Sequence, residues 1–585
     1  MTSSKLNRYR GVLDPLPETH LAWPLYGAGL DNLGRHGDSV QRAVPVFGPD
    51  ELLVRHDAVS LCYTDVKEIK LGPKHPRLVG RDLACDPIVP GHEASMTVVA
   101  VGENLRSEYS VGDRFVIQPD VWYQGRSVPY SFGMDGAYRQ YAAIGKEILH
   151  GDAGNYLIPV PDDMTYAAAA LTEPWACVEA SYRVSYRTRL RGGGRAWFVG
   201  GDRSGYQIDE IWNAENAPAE VTVTDLPGDL LARVRHLAEA CGTRLVEAGR
   251  DAVLAGDSLF DDILVLDGSA TDVDAAAPML AKGGILAIAR ETPMAQPVHM
   301  DLGRVHYDHI VYVGTSGVDL DAAYQQTPVR SELRAGGAAS LPFISKGTTW
   351  ILGAGGPMGR MHLQRAIQSP HPPSRVIATN RGLDRLNALR DSLSELARTH
   401  GVELLAVSPR HEHQQYEGIM AEVLSDGGVD DVEVMAASTQ AVVEATRYVA
   451  RGAVINLFAG LKRGSMAPIQ AWQIYGPTQM RIIGHSGSGL DDQVAVVERV
   501  RAGQLQPERS VAAIAGFRQF PDGIRAMIAK TYPGKIVVFP LVTDFPLTAL
   551  PDLKRVLPEV YEKLGSGDTW TGEAEAAFLE AMLPR

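Results

Sequence analysis

Thr348-Thr349-Trp350-Ile351-Leu352-Gly353-Ala354-Gly355-Gly356-Pro357-Met358-Gly359 is a short apolar run that ends in a cluster of glycines. A run of this kind reads as a buried strand, followed by a tight turn into a helix. The glycines let the backbone and the helix N-terminus come close to a pyrophosphate. Downstream, Arg375-Val376-Ile377-Ala378-Thr379-Asn380 reads as the next strand, and Val432-Glu433-Val434-Met435 and Ala453-Val454-Ile455-Asn456-Leu457 continue the series. Strands alternating with helical stretches predict a parallel sheet of βαβ type, so the fold class is α/β.

The same pattern occurs once before. Arg195-Ala196-Trp197-Phe198-Val199-Gly200-Gly201 is a strand that ends in glycines, and a helical stretch is expected after it. Glu220–Asp225, Asp262–Leu266 and Gly284–Ile288 are the later strands. The chain therefore carries two units of one type in tandem, each roughly 150 residues long, a typical domain size. The join is expected at the small-residue stretch Arg334–Ser340.

Before residue 190 the pattern differs. Glu51–Val59, Ser95–Gly102 and Val111–Ile117 read as short strands broken by Gly, Pro and Asp, which predicts a small antiparallel barrel. The text turns helical around Tyr166 and past Glu173. Tyr532–Phe539 is a further strand that returns to complete that barrel.

Within this β-rich part lies Pro90-Gly91-His92-Glu93-Ala94, preceded by Ser60-Leu61-Cys62-Tyr63-Thr64-Asp65 and followed by Thr172-Glu173-Pro174. Thiolate, imidazole and carboxylate are the ligand types that hold a catalytic zinc while leaving a position open for substrate. Cys62 and His92 are too far apart for a finger-type knuckle and would converge from different strands. Glu93 is a ligand or a neighbour of one. Glu173, in a separate helical segment, could move on or off the metal.

The flanking text resembles the zinc-dependent medium-chain dehydrogenase/reductase superfamily, especially its sorbitol dehydrogenase branch. The resemblance lies in Gly91-His92-Glu93-Ala94, Val101-Gly102-Glu103-Asn104, Val111-Gly112-Asp113-Arg114, Cys62-Tyr63-Thr64-Asp65 and Thr172-Glu173-Pro174. It covers about 50–190 and 345–545, with the earlier βαβ unit as extra material. It implies a GroES-like catalytic domain over 1–190, a degenerate Rossmann-type domain over 191–340, an NAD(P)-binding Rossmann domain over 341–500, and a return to the catalytic domain over 501–585. It also implies metal ligands among Cys62, His92, Glu93 and Glu173, with Thr64 relaying the substrate proton. Asp65 orients the loop. The four closely spaced cysteines that hold a structural zinc in many relatives are reduced to Cys85, so one catalytic zinc and no structural zinc are expected.

Two loops compete for the dinucleotide. In the later one Ala354, Gly356 and Gly359 match the family fingerprint best, with Pro357 and Met358 between them. The position of the ribose-binding acid holds Asn380, followed by Arg381, which suits a 2′-phosphate and leaves NAD and NADP both open. Phe458 and Ala459 lie in a loop that resembles the one beside the nicotinamide in relatives. In the earlier loop Gly200 and Gly205 take the outer positions, but Asp202 stands where the middle glycine belongs, and a carboxylate there repels a pyrophosphate. Asp225 keeps the place of the acid. The later loop is favoured as the working one, and the reverse assignment stays open.

Composition narrows the class. A formal charge of −14 argues against a nucleic-acid binder, and no apolar run reaches the ~18–20 residues of a membrane span. Four scattered cysteines make no disulfide framework and point to a reducing, cytoplasmic setting. His411-Glu412-His413 reads as a solvated turn, and the basic loop Lys74-His75-Pro76-Arg77 with Arg81 as a solvated loop. The expectation is a zinc enzyme that moves a hydride between NAD(P) and a secondary alcohol or ketone: a polyol, sugar, cyclitol or a phosphate of one. A homo-oligomer, dimer or tetramer, goes with it. The alternatives are a zinc-free NAD(P)H reductase of the same superfamily and a nucleotide-sensing or assembly protein without turnover.

Overall fold

The computed structural model describes residues 4–325 and 347–584, so the expected join at 334–340 lies outside the described residues. The chain forms two compact units. One comprises residues 1–179, 356–361 and 488–585, and the other residues 180–355 and 362–487.

In chain order, the first part supplies β1 (Leu52–Ser60), α1 (Tyr63–Leu71), β2 (Glu93–Val101), β3 (Arg114–Ile117), β4 (Tyr141–Ile144), β5 (Leu157–Pro159) and α2 (Thr172–Tyr182). A first parallel sheet uses β6 (Arg195–Val199), β7 (Glu220–Thr224), β8 (Arg244–Glu247), β9 (Phe260–Leu266) and β10 (Leu280–Ala289). It continues through the short strand β11 (Val298–Asp301) and helix α3 (Leu302–Asp308) to β12 (Val311–Thr315). The second sheet repeats this with β13 (Thr348–Leu352), α4 (Pro357–Ile367), β14 (Arg375–Thr379), β15 (Glu403–Val407), β16 (Val429–Val434) and β17 (Val449–Leu457). Strand β18 (Met466–Ile469), helix α5 (Trp472–Tyr475) and β19 (Arg481–Gly484) close it. The chain then returns with β20 (Val511–Gly516), β21 (Lys535–Phe539) and β22 (Thr548–Ala549).

The β-rich unit is an eight-stranded sheet, ordered β22-β20-β21-β1-β2-β3-β5, with β4 also paired to β1. All pairs are antiparallel except β20 with β21. The expected return strand does complete it: Val537 and Val538 of β21 face Ser60 and Val59 of β1. Both β1 and β21 are buried along their whole length, so the polar residues they carry, Arg55, His56 and Asp57 in β1 and Lys535 in β21, are buried with partners.

The two parallel sheets have one topology. Their orders are β8-β7-β6-β9-β10-β12 and β15-β14-β13-β16-β17-β19, the doubly wound arrangement that reverses beside the first strand. The likeness reaches side chains. Trp197 of β6 donates its indole N–H to Thr224 Oγ1 at 3.0 Å, and Trp350 of β13 does the same to Thr379 at 3.0 Å. The pairing of the first sheet shifts register between Phe260 and Asp262, and that of the second between Val429 and Asp431, at corresponding places.

One expectation fails. No helix follows β6: residues 200–219 run as turns and coil to β7. Polar, turn-forming residues explain it. Arg203 and Gly205 are held by distant parts of the chain instead of entering a helix: Arg203 N–H donates to Asp267 Oδ2 at 3.2 Å and Gly205 N–H to Asp229 Oδ2 at 2.6 Å. His413, placed in a turn by sequence, opens the helix His413–Ser425, and its side chain is exposed as expected.

Candidate active site

Cys62 ends the loop after β1 and caps α1. Its sulfur accepts the N–H of Thr64 at 3.5 Å, and Asp65 reaches back to the Cys62 N–H at 2.9 Å. This capping box fixes the thiol at a helix N-terminus, where an anionic sulfur is favoured. On the neighbouring strand, Gly91 has φ +99°, and a Cβ there would lie 2.3 Å from the Tyr138 ring. Glycine is therefore what lets the chain turn at this point and deliver His92 and Glu93 at the head of β2.

Cys62 Sγ, a His92 ring nitrogen and a Glu93 carboxylate oxygen all lie within 4.8 Å of one another. Among the described residues this is the group with the composition and spacing of a metal site. Asp65, fully buried, holds Oδ1 at 2.9 Å from His92 Nδ1 and accepts Tyr138 O–H on Oδ2 at 2.9 Å. It thus does more than orient a loop, since it fixes the imidazole and leaves Nε2 as the nitrogen for a metal. Burial works against a charged His92, yet its interactions with Asp65 and Cys62 outweigh it and hold its pKa well above the ordinary value. The pocket is built for positive charge, and a thiolate, an imidazole and a carboxylate are a donor set that fits zinc.

Lys535, at the start of β21, was not singled out in the sequence. Its ammonium lies 2.8 Å from Glu93 Oε1 and 2.7 Å from Oε2, and donates to Leu61 O at 2.9 Å. The one signal for it was a lysine opening an otherwise apolar, fully buried strand, since a buried charge needs a partner.

Glu173 falls outside the close trio. It lies on α2 one turn before Cys177, whose thiol is 3.6 Å from its Oε1. Desolvation lifts the Glu173 carboxyl to about 7; His92 opposes this, and Glu93 adds to it. Thr64 is half-buried in the first turn of α1, two residues from the sulfur.

The two arginines of the basic loop are paired. Arg77 pairs with Asp120 at 2.7 Å, and Arg81 with Asp86 at 2.9 Å.

The two glycine loops differ in what fills them. In the second sheet Gly353, at φ +84°, turns the chain after β13, and the N–H groups of Gly353 and Ala354 bond Thr379 O. Ala354 is buried, and Gly359 lies within α4, which starts at Pro357 and Met358. A Cβ on Gly356 would meet nothing within 4 Å, so space is open at the head of the helix. Asn380 packs against Gly355, within 2.9 Å of a Cβ built there, and its amide donates to Gly382 O at 3.0 Å. Arg381 is exposed; Arg385, also beside Gly355, is half-buried, and desolvation lowers its pKa. Ala459 N–H is fixed to Val434 O at 2.9 Å, and the Phe458 ring stands 4.6 Å from His362 and 5.4 Å from His485.

In the first sheet the chain closes tightly on the start of the loop, while a Cβ on Gly205 would meet nothing within 4 Å. A Cβ on Gly200 would lie 1.7 Å from Asp225 O, and one on Gly201 2.3 Å from Leu266 O. Arg203 donates to Gly317 O at 2.6 Å, and Tyr206 O–H bonds Asp267 at 2.7 Å. No helix follows β6, and Asp229, in the first turn of the helix Gly228–Cys241, accepts the Gly205 N–H at 2.6 Å.

Residues 48–151 match the model of the alcohol dehydrogenase GroES-like domain. The chain is 31% identical over 301 residues to mannitol-1-phosphate 5-dehydrogenase of Aliivibrio fischeri, a match covering 47% of this chain and 70% of that protein. It is 29% identical over 302 residues to L-sorbose 1-phosphate reductase of Klebsiella pneumoniae, covering 48% and 72%. With sorbitol dehydrogenase of Gallus gallus it shares 30% over 211 residues, covering 34% and 54%. Among the described residues no helix is long and apolar enough to cross a membrane. With the metal-type cluster at the head of β2 and a doubly wound sheet carrying the glycine loop, these matches show that the chain belongs to the zinc-dependent medium-chain dehydrogenase/reductase family, in its alcohol and sorbitol dehydrogenase-like part, and is an NAD(P)-dependent alcohol oxidoreductase.

Proposed function

We propose that the protein oxidises a secondary hydroxyl of a polyol, sugar or cyclitol, or of a phosphate ester of one, and reduces the matching ketone. The observation that carries this reading is the cluster of half-buried Cys62 with buried His92 and Glu93, buttressed on one side by Asp65 and on the other by Lys535. The substrate class rests on the relatives, two of which are named for phosphorylated sugars or polyols.

Cys62 and His92 would hold the zinc, with Glu173 as the third ligand and Glu93 beside it. Lys535 already neutralises Glu93, whereas the Glu173 carboxyl, raised to about 7 chiefly by desolvation, would regain its charge beside a cation. When bound, zinc would supply Lewis acidity that lowers the pKa of the alcohol, and NAD(P) would supply the hydride acceptor. The chain's own part is positional and protonic. Asp65 keeps the His92 ring in one orientation and tautomer. Thr64 takes the hydroxyl proton of the substrate and passes it towards solvent. The glycine loop 353–359 at the head of α4 binds the pyrophosphate, and Phe458 and Ala459 flank the nicotinamide. Arg381 and Arg385, in place of an acid after β14, favour a 2′-phosphate and hence NADP.

A panel of polyols and sugar phosphates, each with NAD and NADP, tests substrate and cofactor together through the absorbance of the reduced cofactor. Metal analysis accompanies it. We expect about one zinc per chain, and loss of both metal and turnover in Cys62→Ala. Protein purified without zinc, yet fully active, would sink the reading.

A further inference from the structure

We infer that helix α3 of the first parallel sheet is a positioning element for the second, with His306, Tyr307 and Asp308 bracing loop 457–465, on which Phe458 and Ala459 stand. This rests on the reading that the second sheet holds the dinucleotide.

The geometry is that of a local two-fold inside one chain. The short strands β11 and β18 occupy the same place in chain order, between the fifth and sixth strands of the two parallel sheets, and form a two-stranded sheet of their own. They pair antiparallel with each other, from Val298 opposite Ile469 to Asp301 opposite Met466. Helix α3, which follows β11, packs on β19 of the other sheet, and α5, which follows β18, packs on β12. Each approach needs a glycine. A Cβ on Gly484 of β19 would lie 2.8 Å from His306 Cα, and one on Gly314 of β12 would lie 2.4 Å from Tyr475 Cβ. Contacts of residue i with j matched by j with i define an isologous interface, here made without a second copy.

From this face each helix grips the loop after the fifth strand of the other sheet. His306, buried, has Nδ1 2.9 Å from Leu457 O. A carbonyl only accepts, so Nδ1 carries the proton. The mirror contact is Tyr475 O–H donating to Thr292 O at 2.9 Å. The grip on the second loop is the more extensive. Leu302 N–H donates to Ser465 O at 3.1 Å, and Gly464 N–H to Asp301 Oδ2 at 2.8 Å. Arg463 pairs with Asp308 at 2.7 Å, and its guanidinium carbon sits 5.2 Å from the Tyr307 ring centroid. A Cβ on Gly460 would be 2.5 Å from Tyr307 Oη, so the backbone is pressed against the helix. The sheet that has lost its own nucleotide loop thus keeps the loop of its counterpart in place.

The test uses the full-length zinc-loaded protein and four variants: His306→Leu, His306→Asn, Tyr475→Phe and Gly356→Val. Dinucleotide Kd, kcat, zinc content and melting temperature are measured for each. His306→Leu removes the donor to Leu457 O, and we expect Kd for the dinucleotide to rise about fivefold and kcat to fall about tenfold, because small misplacements at a reacting centre are costly. His306→Asn restores a donor at the same point and recovers most of both. Tyr475→Phe removes the mirror bond, whose loop holds no cofactor, and leaves Kd and kcat unchanged. If His306→Leu and Tyr475→Phe shift Kd and kcat alike, or neither does, or if asparagine fails to rescue, the brace is overturned. Gly356→Val separates the underlying reading. Unaltered dinucleotide binding in that variant overturns the assignment of the cofactor to the second sheet and the brace with it.

Discussion

Lys535 and Glu93 form an ion pair with side chains 5% and 1% exposed, and such a pair is far more costly to break than to have. Removing the ammonium leaves the Glu93 carboxylate buried beside Cys62 and Glu173. Lys535→Met is therefore expected to cost roughly 3–5 kcal/mol in the metal-free protein. In the zinc-loaded protein the loss is smaller, because a divalent cation supplies the missing charge. Chemical denaturation with and without zinc checks this, and equal losses in both forms would show that Lys535 does not act through the metal pocket. The same residues show what a sequence can and cannot display. Cys62, His92 and Glu93 were legible because each sits in a short, distinctive motif. Their convergence was legible only through the order of those motifs. Lys535 lies 442 positions from Glu93, and nothing local announces which carboxylate a buried lysine will meet. Asp65 was visible as part of a motif, but its contact with His92 depends on how β2 lies beside α1.

At the scale of elements, the strands were the clearest part, since a buried parallel strand is a continuous apolar run bounded by glycine. The missing helix after β6 was not. Its sequence is short and polar, and hydrogen bonds such as Arg203 to Gly317 O, which hold the loop to the chain, come from residues more than a hundred positions away. The retained helix α4 gives a direct test. Gly356 has open space where a side chain would project. Gly356→Val should leave the melting temperature within a degree or two, by the usual neutrality of unhindered sites, while weakening dinucleotide binding at least tenfold. Calorimetric titration decides it. Strand β1 supplies a second prediction. His56 is fully buried, with Nδ1 2.8 Å from Arg139 O and Nε2 2.8 Å from Tyr130 Oη. Nδ1 must donate, so Nε2 of the neutral ring accepts from the phenol, and a second proton would force the phenol to turn and accept instead. Burial first, then the charge of Arg139, push its pKa down to about 3. The unfolded chain titrates near 6.5. Stability from neutral His56 is therefore present above about pH 6.5 and is lost as the pH falls towards 3, on the order of 3 kcal/mol by pH 4. Melting temperatures of the wild type and His56→Gln, followed from pH 7.5 to 4.5, should converge as the pH drops. Parallel curves would remove His56 from the acid transition.

For the molecule as a whole, the duplication was readable from two glycine-ended strands and the repeated apolar runs after them. The packing of the two sheets was not, because β11, β18 and the helices after them are short and carry no periodic signal. The local two-fold they create has a consequence for how such a chain can change. In an assembly of two identical chains, every substitution at the shared face appears twice, so a residue that helps one side must be tolerated on the other. Here the two sides are written separately. His306 and Tyr475 stand at matching points with different chemistry, and a helix follows the first strand in one copy and not in the other. Covalent linkage also sets the ratio of the two halves at one to one and keeps them together at any dilution. Specific activity should therefore stay constant as the enzyme is diluted from micromolar to nanomolar, so far as it depends on this contact.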